Sequence, residues 1–248
     1  MAEAAGNVVE AATGEGALST VCILAGGLGS RLGGYVDQTP KPLLPVAGKP
    51  FLLHQLALLA SYGAERAVLC VGYLGDMVEA TIGPERFGIQ LAYSYDGPKL
   101  AGTLGAVREA LPLLGRRFLV LYGDTYLRVD YRAFDRQWKA SGLPGAMSVL
   151  HNQGRWDRSN VEYADSLVVR YNKGSPSEGM DWIDYGLGGL TVAALERVPR
   201  TEPDLSELYA ALARRGELFG FEATERFYEI GTPAALEETG RFLETINS

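Results

Sequence analysis

The chain has 248 residues, 47% of them apolar and 21% charged, with a formal net charge of −7. That length suits one large α/β domain or two small ones around a substantial core, and the composition is ordinary for a globular protein. The negative charge argues against nucleic acid or an anionic membrane as partner, and no apolar stretch approaches the length of a membrane span.

Residues 1–20 are rich in Ala, Gly and Glu and lack the basic region and apolar core of a signal peptide. They read as a flexible tail ahead of one domain over 21–248, and the cytoplasm is the expected location. Val21-Cys22-Ile23-Leu24 predicts a buried strand, which runs straight into Ala25-Gly26-Gly27-Leu28-Gly29-Ser30-Arg31-Leu32. Helices are expected over 51–62, 75–81, 103–114 and 132–140, and strands over 66–71, 90–95, 118–121 and 146–150. This alternation predicts an α/β fold: a Rossmann-like mixed, mostly parallel central sheet with helices on both faces. Ligands in such folds bind beyond the carboxyl ends of the strands, where the glycine loop would lie.

After residue 150 the pattern becomes strand-rich, with strands over 161–163, 167–171 and 182–191 and a polar loop over 172–179. A helix over 204–214 with Asp204 as N-cap, strands over 218–222 and 227–230, and a last helix opening at Pro233 complete the chain. Cys22 and Cys70 lie in apolar runs without zinc-ligand spacing and read as buried, inert thiols. His54 sits among apolar positions at helical spacing and reads as structural, while His151 follows a strand at a loop.

A strand entering a glycine turn, with Arg31 inside it and Lys41 in Pro40-Lys41-Pro42-Leu43-Leu44-Pro45 just beyond, suits a polyphosphate. Glycines let backbone N–H groups approach the oxygens, and the cations neutralise charge that amides alone cannot. No Lys-Ser or Lys-Thr follows the glycines as a Walker-A loop requires. A dinucleotide fingerprint is also absent, because Leu32 stands where its third glycine belongs. A turn that binds nothing would leave Arg31 and Lys41 without a packing role.

Gly26-Gly27-Leu28-Gly29-Ser30-Arg31 with Lys41-Pro42 resembles the signature of the sugar-1-phosphate nucleotidyltransferases, or nucleotide-sugar pyrophosphorylases. Pro45-Val46-Ala47-Gly48-Lys49-Pro50-Phe51-Leu52 is similar to the heptose-1-phosphate guanylyltransferases and the muramate-1-phosphate uridylyltransferases, and the likeness runs from about Val21 to the C-terminus. The resemblance implies a nucleotide-diphospho-sugar transferase fold with a small strand-rich sugar-binding part. It implies Mg²⁺-dependent transfer of a nucleotidyl group from an NTP to a sugar 1-phosphate, with release of pyrophosphate. Leu24, Ala25, Gly26, Gly27 and Gly29 would then hold the nucleotide, with Gly102 and Thr103 of Leu100-Ala101-Gly102-Thr103-Leu104-Gly105 against the base. Arg31, Lys41 and Asp124 would be catalytic, and Asp124 and Glu229 would hold the metal.

Glu162, Lys173 and Asp184 would bind the sugar phosphate. The chain departs from the family at several of these points: Glu229 replaces the usual aspartate of Tyr228-Glu229-Ile230-Gly231-Thr232, Leu104 replaces a small residue, and Asp184 stands where Asn-x-Gly is usual. Thr103 as the cap of its own helix is an equal reading of that segment. A cytidylyltransferase acting on phosphocholine or another alcohol phosphate, and a catalytically silent regulatory subunit, are the rival functions. The segment around Gly48-Lys49-Pro50-Phe51 leans towards guanine; the sugar and the oligomeric state are open.

Overall fold

The computed structural model describes residues 17–36, 38–97, 101–156, 158–175 and 178–247. β1 (Thr20–Leu24) is followed by 3₁₀ turns over Ser30–Val36 and Lys41–Leu43 and by a hairpin of β2 (Pro45–Val46) and β3 (Lys49–Pro50). Next come α1 (Phe51–Ser61), β4 (Arg66–Val71), α2 (Gly75–Ile82), β5 (Glu85–Arg86) and β6 (Ile89–Tyr95). α3 (Gly102–Ala110), β7 (Arg117–Tyr122), β8 (Thr125–Tyr126), α4 (Tyr131–Ser141) and β9 (Gly145–His151) follow. The chain closes with β10 (Val161–Ala164), β11 (Leu167–Tyr171), β12 (Trp182–Thr191), α5 (Leu205–Ala213), β13 (Leu218–Ala223), β14 (Tyr228–Glu229) and α6 (Pro233–Asn247).

Ten strands form one sheet in the order β10-β11-β13-β9-β12-β7-β1-β4-β6-β5. The block β7-β1-β4-β6 is parallel throughout; outside it, among the described residues, only β9 and β13 pair in parallel. From β1 the chain steps outward to β4 and β6, then returns to place β7 on the other side. Strand order therefore reverses at β1, and a crevice opens beyond the carboxyl ends of β1, β4 and β7. The strand-rich stretch after residue 150 extends this same sheet.

Alternating side chains of the central strands feed two cores. Val21 and Ile23 point into the one covered by α1, α2 and α4, with Leu52, Leu56, Ile82, Phe134 and Trp138. Cys22 points into the other, covered by α3 and α5 through Leu104, Val107, Leu208 and Leu212. Each such fully buried aliphatic or aromatic side chain contributes about 1.5–3 kcal/mol. Cys22 and Cys70 are free and buried, as read from the sequence, with sulfurs 3.4 Å apart. The hydrogen bond to Cys70 and burial push the Cys22 thiol well above its ordinary range. His54 is buried and bonds the carbonyl of Val46 at 2.8 Å, which is the structural role expected of it.

Three expectations change. The helix read over 103–114 ends at Ala110 and tightens to a 3₁₀ turn over Leu111–Leu113, because Pro112 has no N–H to continue the ladder. The strand read over 227–230 shrinks to β14, which pairs with β8 instead of joining the main sheet. The tail boundary at residue 20 comes too late. Leu18 and Ser19 are buried, and the Ser19 N–H and hydroxyl each donate to Asp135 at 2.9 Å. Residues 1–16 lie outside the described residues.

Candidate active site

The glycine loop begins at the reversal point. β1 ends at Leu24, and the Ala25 N–H bonds the carbonyl of Cys70 on β4 at 2.8 Å. Gly123, after β7, closes in from the other side, donating its N–H to the Leu24 carbonyl at 2.9 Å. A Cβ on Gly123 would stand 2.9 Å from that oxygen, and one on Gly26 would stand 3.0 Å from the Gly72 nitrogen. Both are glycines because backbone meets backbone there. Gly27 differs: a Cβ on it would find nothing within 4 Å. It is a glycine that packing does not require.

A cleft of about 330 Å³ lies over this loop. Leu24, Ala25, Gly26, Gly27, Gly29, Arg31, Lys41, Gly102, Thr103 and Asp124 all line it, so ten sequence-derived candidates converge on one space. Lys41 is buried, and its ammonium donates to Oδ2 of Asp124 at 2.6 Å. The β8–β14 pairing sets Glu229 opposite Thr125, and the Ile230 N–H bonds the Asp124 carbonyl at 3.0 Å. A Cβ on Gly231, also in the cleft wall, would lie 3.2 Å from Glu229 Oε2 and 3.5 Å from Arg31 Nη2. Arg31 and Glu229 thus meet at Gly231, beside the Lys41–Asp124 pair.

The Gly102 segment owes its sequence to packing. Gly102 has φ +75°, and a Cβ there would stand 2.5 Å from the Pro203 carbonyl. The Thr103 hydroxyl accepts the Leu205 N–H at 2.9 Å, so it serves the start of α5 and leaves α3 without a side-chain cap. Asp204 is the N-cap of α5, accepting from Ser206 at 2.9 Å. Leu104 is fully buried in the core and does not narrow the cleft.

Glu229 and the three sugar-phosphate candidates lie outside this lining. Asp184 accepts from the Gly186 N–H at 3.0 Å and the Tyr171 hydroxyl at 3.2 Å. Burial raises its carboxyl above the ordinary value, with the nearby Lys173 charge opposing the shift. Its charge is felt by Tyr122 in the cleft wall, whose phenol is pushed up by burial first and then by Asp184. Lys173 and Asp184 are therefore near enough to interact electrostatically, and Asp184 in turn acts on Tyr122 of the cleft wall. Glu162 lies on β10, 3.6 Å from Arg170 of β11.

Two residues in and behind the cleft escape a reading of local pattern. Asp96, at the end of β6, lines the cleft, and its Oδ2 is 3.3 Å from where a Gly26 Cβ would be. Burial raises its carboxyl above the usual range, and the Ala101 N–H partly offsets this. Followed by glycine, Asp96 looks like a turn residue; its position at a strand end facing the glycine loop was the available signal. Gln55, buried on α1, reaches the backbone of the Asp124 loop.

The chain is 30% identical to D-glycero-α-D-manno-heptose 1-phosphate guanylyltransferase of Campylobacter jejuni over 216 residues, 85% of this chain and 94% of that protein. It is 29% identical to mannose-1-phosphate guanylyltransferase catalytic subunit beta of Xenopus tropicalis, covering 85% of this chain but only 61% of that relative's length. Among solved structures, HddC from Yersinia pseudotuberculosis complexed with GMP-PN superposes with a TM-score of 0.73 at 24% identity, covering 91% of this chain and 100% of that one. The sequence profile of the MobA-like NTP transferase domain matches residues 21–217, and the chain belongs to that family.

Proposed function

We propose that this chain transfers a nucleotidyl group from a nucleoside triphosphate to a sugar 1-phosphate and releases pyrophosphate. One observation carries the reading: Arg31, Lys41 and Asp124 line a single cleft with Gly27, where a Cβ would meet nothing within 4 Å, and Glu229 lies beside Gly231 of its wall. Packing requires neither Gly27 nor the cations, whereas a triphosphate uses all of them.

The sugar-phosphate oxygen attacks the α-phosphorus as pyrophosphate departs, so the protein's task is alignment and charge neutralisation. Backbone amides of Gly26, Gly27 and Gly29 hold the triphosphate, and Arg31 and Lys41 stabilise its growing charge. Among the described residues no three His, Cys, Asp or Glu side chains form a closed metal cage. Two carboxylates beside a phosphate site fit Mg²⁺, which takes the rest of its shell from phosphate and water; Asp124 and Glu229 would hold it. When bound, Mg²⁺ supplies Lewis-acid neutralisation of the phosphate oxygens. Lys173 and Asp184, with Glu162, orient the sugar phosphate. No helix among the described residues is long and apolar enough to cross a membrane; we propose the cytoplasm as the place of the reaction.

Asp96 supports guanine as the base. A carboxylate only accepts hydrogen bonds, and guanine alone among the common bases presents two adjacent donors, N1–H and the 2-amino group. Both curated relatives named above are guanylyltransferases. The test is pyrophosphate release from a matrix of NTPs against sugar 1-phosphates. Turnover with GTP and a heptose or hexose 1-phosphate is expected; silence across the matrix, or turnover confined to CTP with an alcohol phosphate, overturns the assignment.

A further inference from the structure

Gln55 lies on the second turn of α1 and is 2% exposed. Its Nε2 donates to the Tyr122 carbonyl at 2.9 Å and to the Thr125 carbonyl at 2.6 Å. Those two oxygens bracket Gly123 and Asp124. One NH₂ group donates to both, a clamp that no acid or apolar side chain of similar size reproduces. Its Oε1 accepts no hydrogen bond among the described residues, so packing alone would favour an apolar residue here.

The first residue of α1, one turn before Gln55, is tied to the Lys41 turn. The Phe51 N–H donates to the Leu44 carbonyl at 3.0 Å, and the Leu44 N–H donates to the Lys41 carbonyl at 3.1 Å. One rigid helix therefore starts from the Lys41 turn and grips the Asp124 loop a turn later. The loop is further held by the Gly123 N–H on Leu24 and by the Ile230 N–H on the Asp124 carbonyl.

We infer that Gln55 is a positioning residue for nucleotidyl transfer: its carboxamide fixes the Asp124 loop to the helix that carries the Lys41 turn, so that carboxylate and ammonium address the same phosphates. The inference rests on the metal-holding role proposed for Asp124. Gln55 touches neither substrate nor metal, and it acts by keeping a metal-binding carboxylate in place, the kind of outer-sphere support whose loss costs ~10–100-fold in metal affinity or activity.

Gln55→Met keeps the volume and removes both donors. In this variant, without nucleotide or metal, the Gly123 and Ile230 amides should exchange hydrogen at least ~10-fold faster while the α1 amides stay protected. The Mg²⁺ concentration for half-maximal pyrophosphate release should rise ~10–100-fold, with the KM for sugar phosphate unchanged. Gln55→Glu sets a carboxylate against two carbonyls, and only its protonated form regains one donor. Its deficit should therefore shrink as the pH falls, a profile that loosened packing would not produce.

Unchanged amide exchange together with unchanged Mg²⁺ dependence in Gln55→Met overturns the inference. If that variant does not fold, a pH-independent deficit in Gln55→Glu does so. A wild-type protein that releases no pyrophosphate overturns the proposed function, while the exchange measurement still decides whether Gln55 fixes the loop.

Discussion

The Lys41 ammonium sits 2.6 Å from Oδ2 of Asp124 across 83 residues of sequence. The lysine side chain is 10% exposed and the aspartate 30%, so each charge depends on the other for part of its stabilisation. Lys41→Met should lower unfolding stability by about 1–3 kcal/mol, less than for a fully buried pair because water reaches Asp124. Pyrophosphate release should fall ~10²–10³-fold in that variant and in Asp124→Asn. The double variant should regain much of the stability and none of the turnover, as read by denaturant unfolding and activity on the same samples. Turnover restored in the double variant would refute the catalytic roles.

Two glycines of the cleft should respond in opposite ways. Gly27→Ala adds a methyl where nothing lies within 4 Å, so the thermal midpoint should hold while nucleotide affinity drops. Gly102→Ala places its methyl 2.5 Å from the Pro203 carbonyl at φ +75°. It should destabilise by about 2 kcal/mol or more. Calorimetric unfolding and nucleotide titration separate the two; a Gly27→Ala protein that binds nucleotide normally would argue against the loop as a phosphate cradle.

Asp96→Asn tests the base. Asparagine offers one acceptor and one donor in place of two acceptors, a poor match for N1–H and the 2-amino group of guanine. The kcat/KM for GTP should fall about 10–100-fold, in the range of a lost bidentate base contact, and that for UTP should hold. Equal losses for both nucleotides would remove Asp96 from base recognition.

Asp184 gives a pH dependence of stability. Burial raises its carboxyl above 3.8 in the folded state. The unfolded chain thus releases this proton first as pH rises, and the ionised folded form carries the cost. The associated stability is present below pH 3.8 and lost as pH climbs through the folded value. Asp184→Asn should therefore melt higher than wild type at pH 7, the gap closing towards pH 4. The variant should also bind sugar 1-phosphate more weakly. A gap that widens on acidification would contradict the sign.

Much of the fold and half of the candidate site could be read along the chain. The apolar run at Val21–Leu24 became a central strand because a strand covered on both faces must be continuously apolar, and the turn after it lies in the cleft wall as expected. Asp204 announced its helix because an N-cap is a local hydrogen bond. The strand read at 227–230 went wrong because those residues pair with Thr125–Tyr126, a hundred residues earlier, and no local pattern encodes that partner. Thr103 looked like the cap of its own helix and instead serves α5. Asp96 and Gln55 carried no motif at all.

Hydrophobic period, glycine spacing and capping residues act over a few bonds, so residue order alone settles which segments become strands, which turn is bare of side chains, and where helices begin. The company each charged group keeps was settled by the reversal of strand order at β1 and by β8–β14 pairing, which bring Lys41, Asp124 and Arg31 to one cleft and Glu229 beside Gly231 of its wall. Those contacts arise only when distant segments share a core, because electrostatic and hydrogen-bond partners are chosen by distance in space and not by distance along the chain.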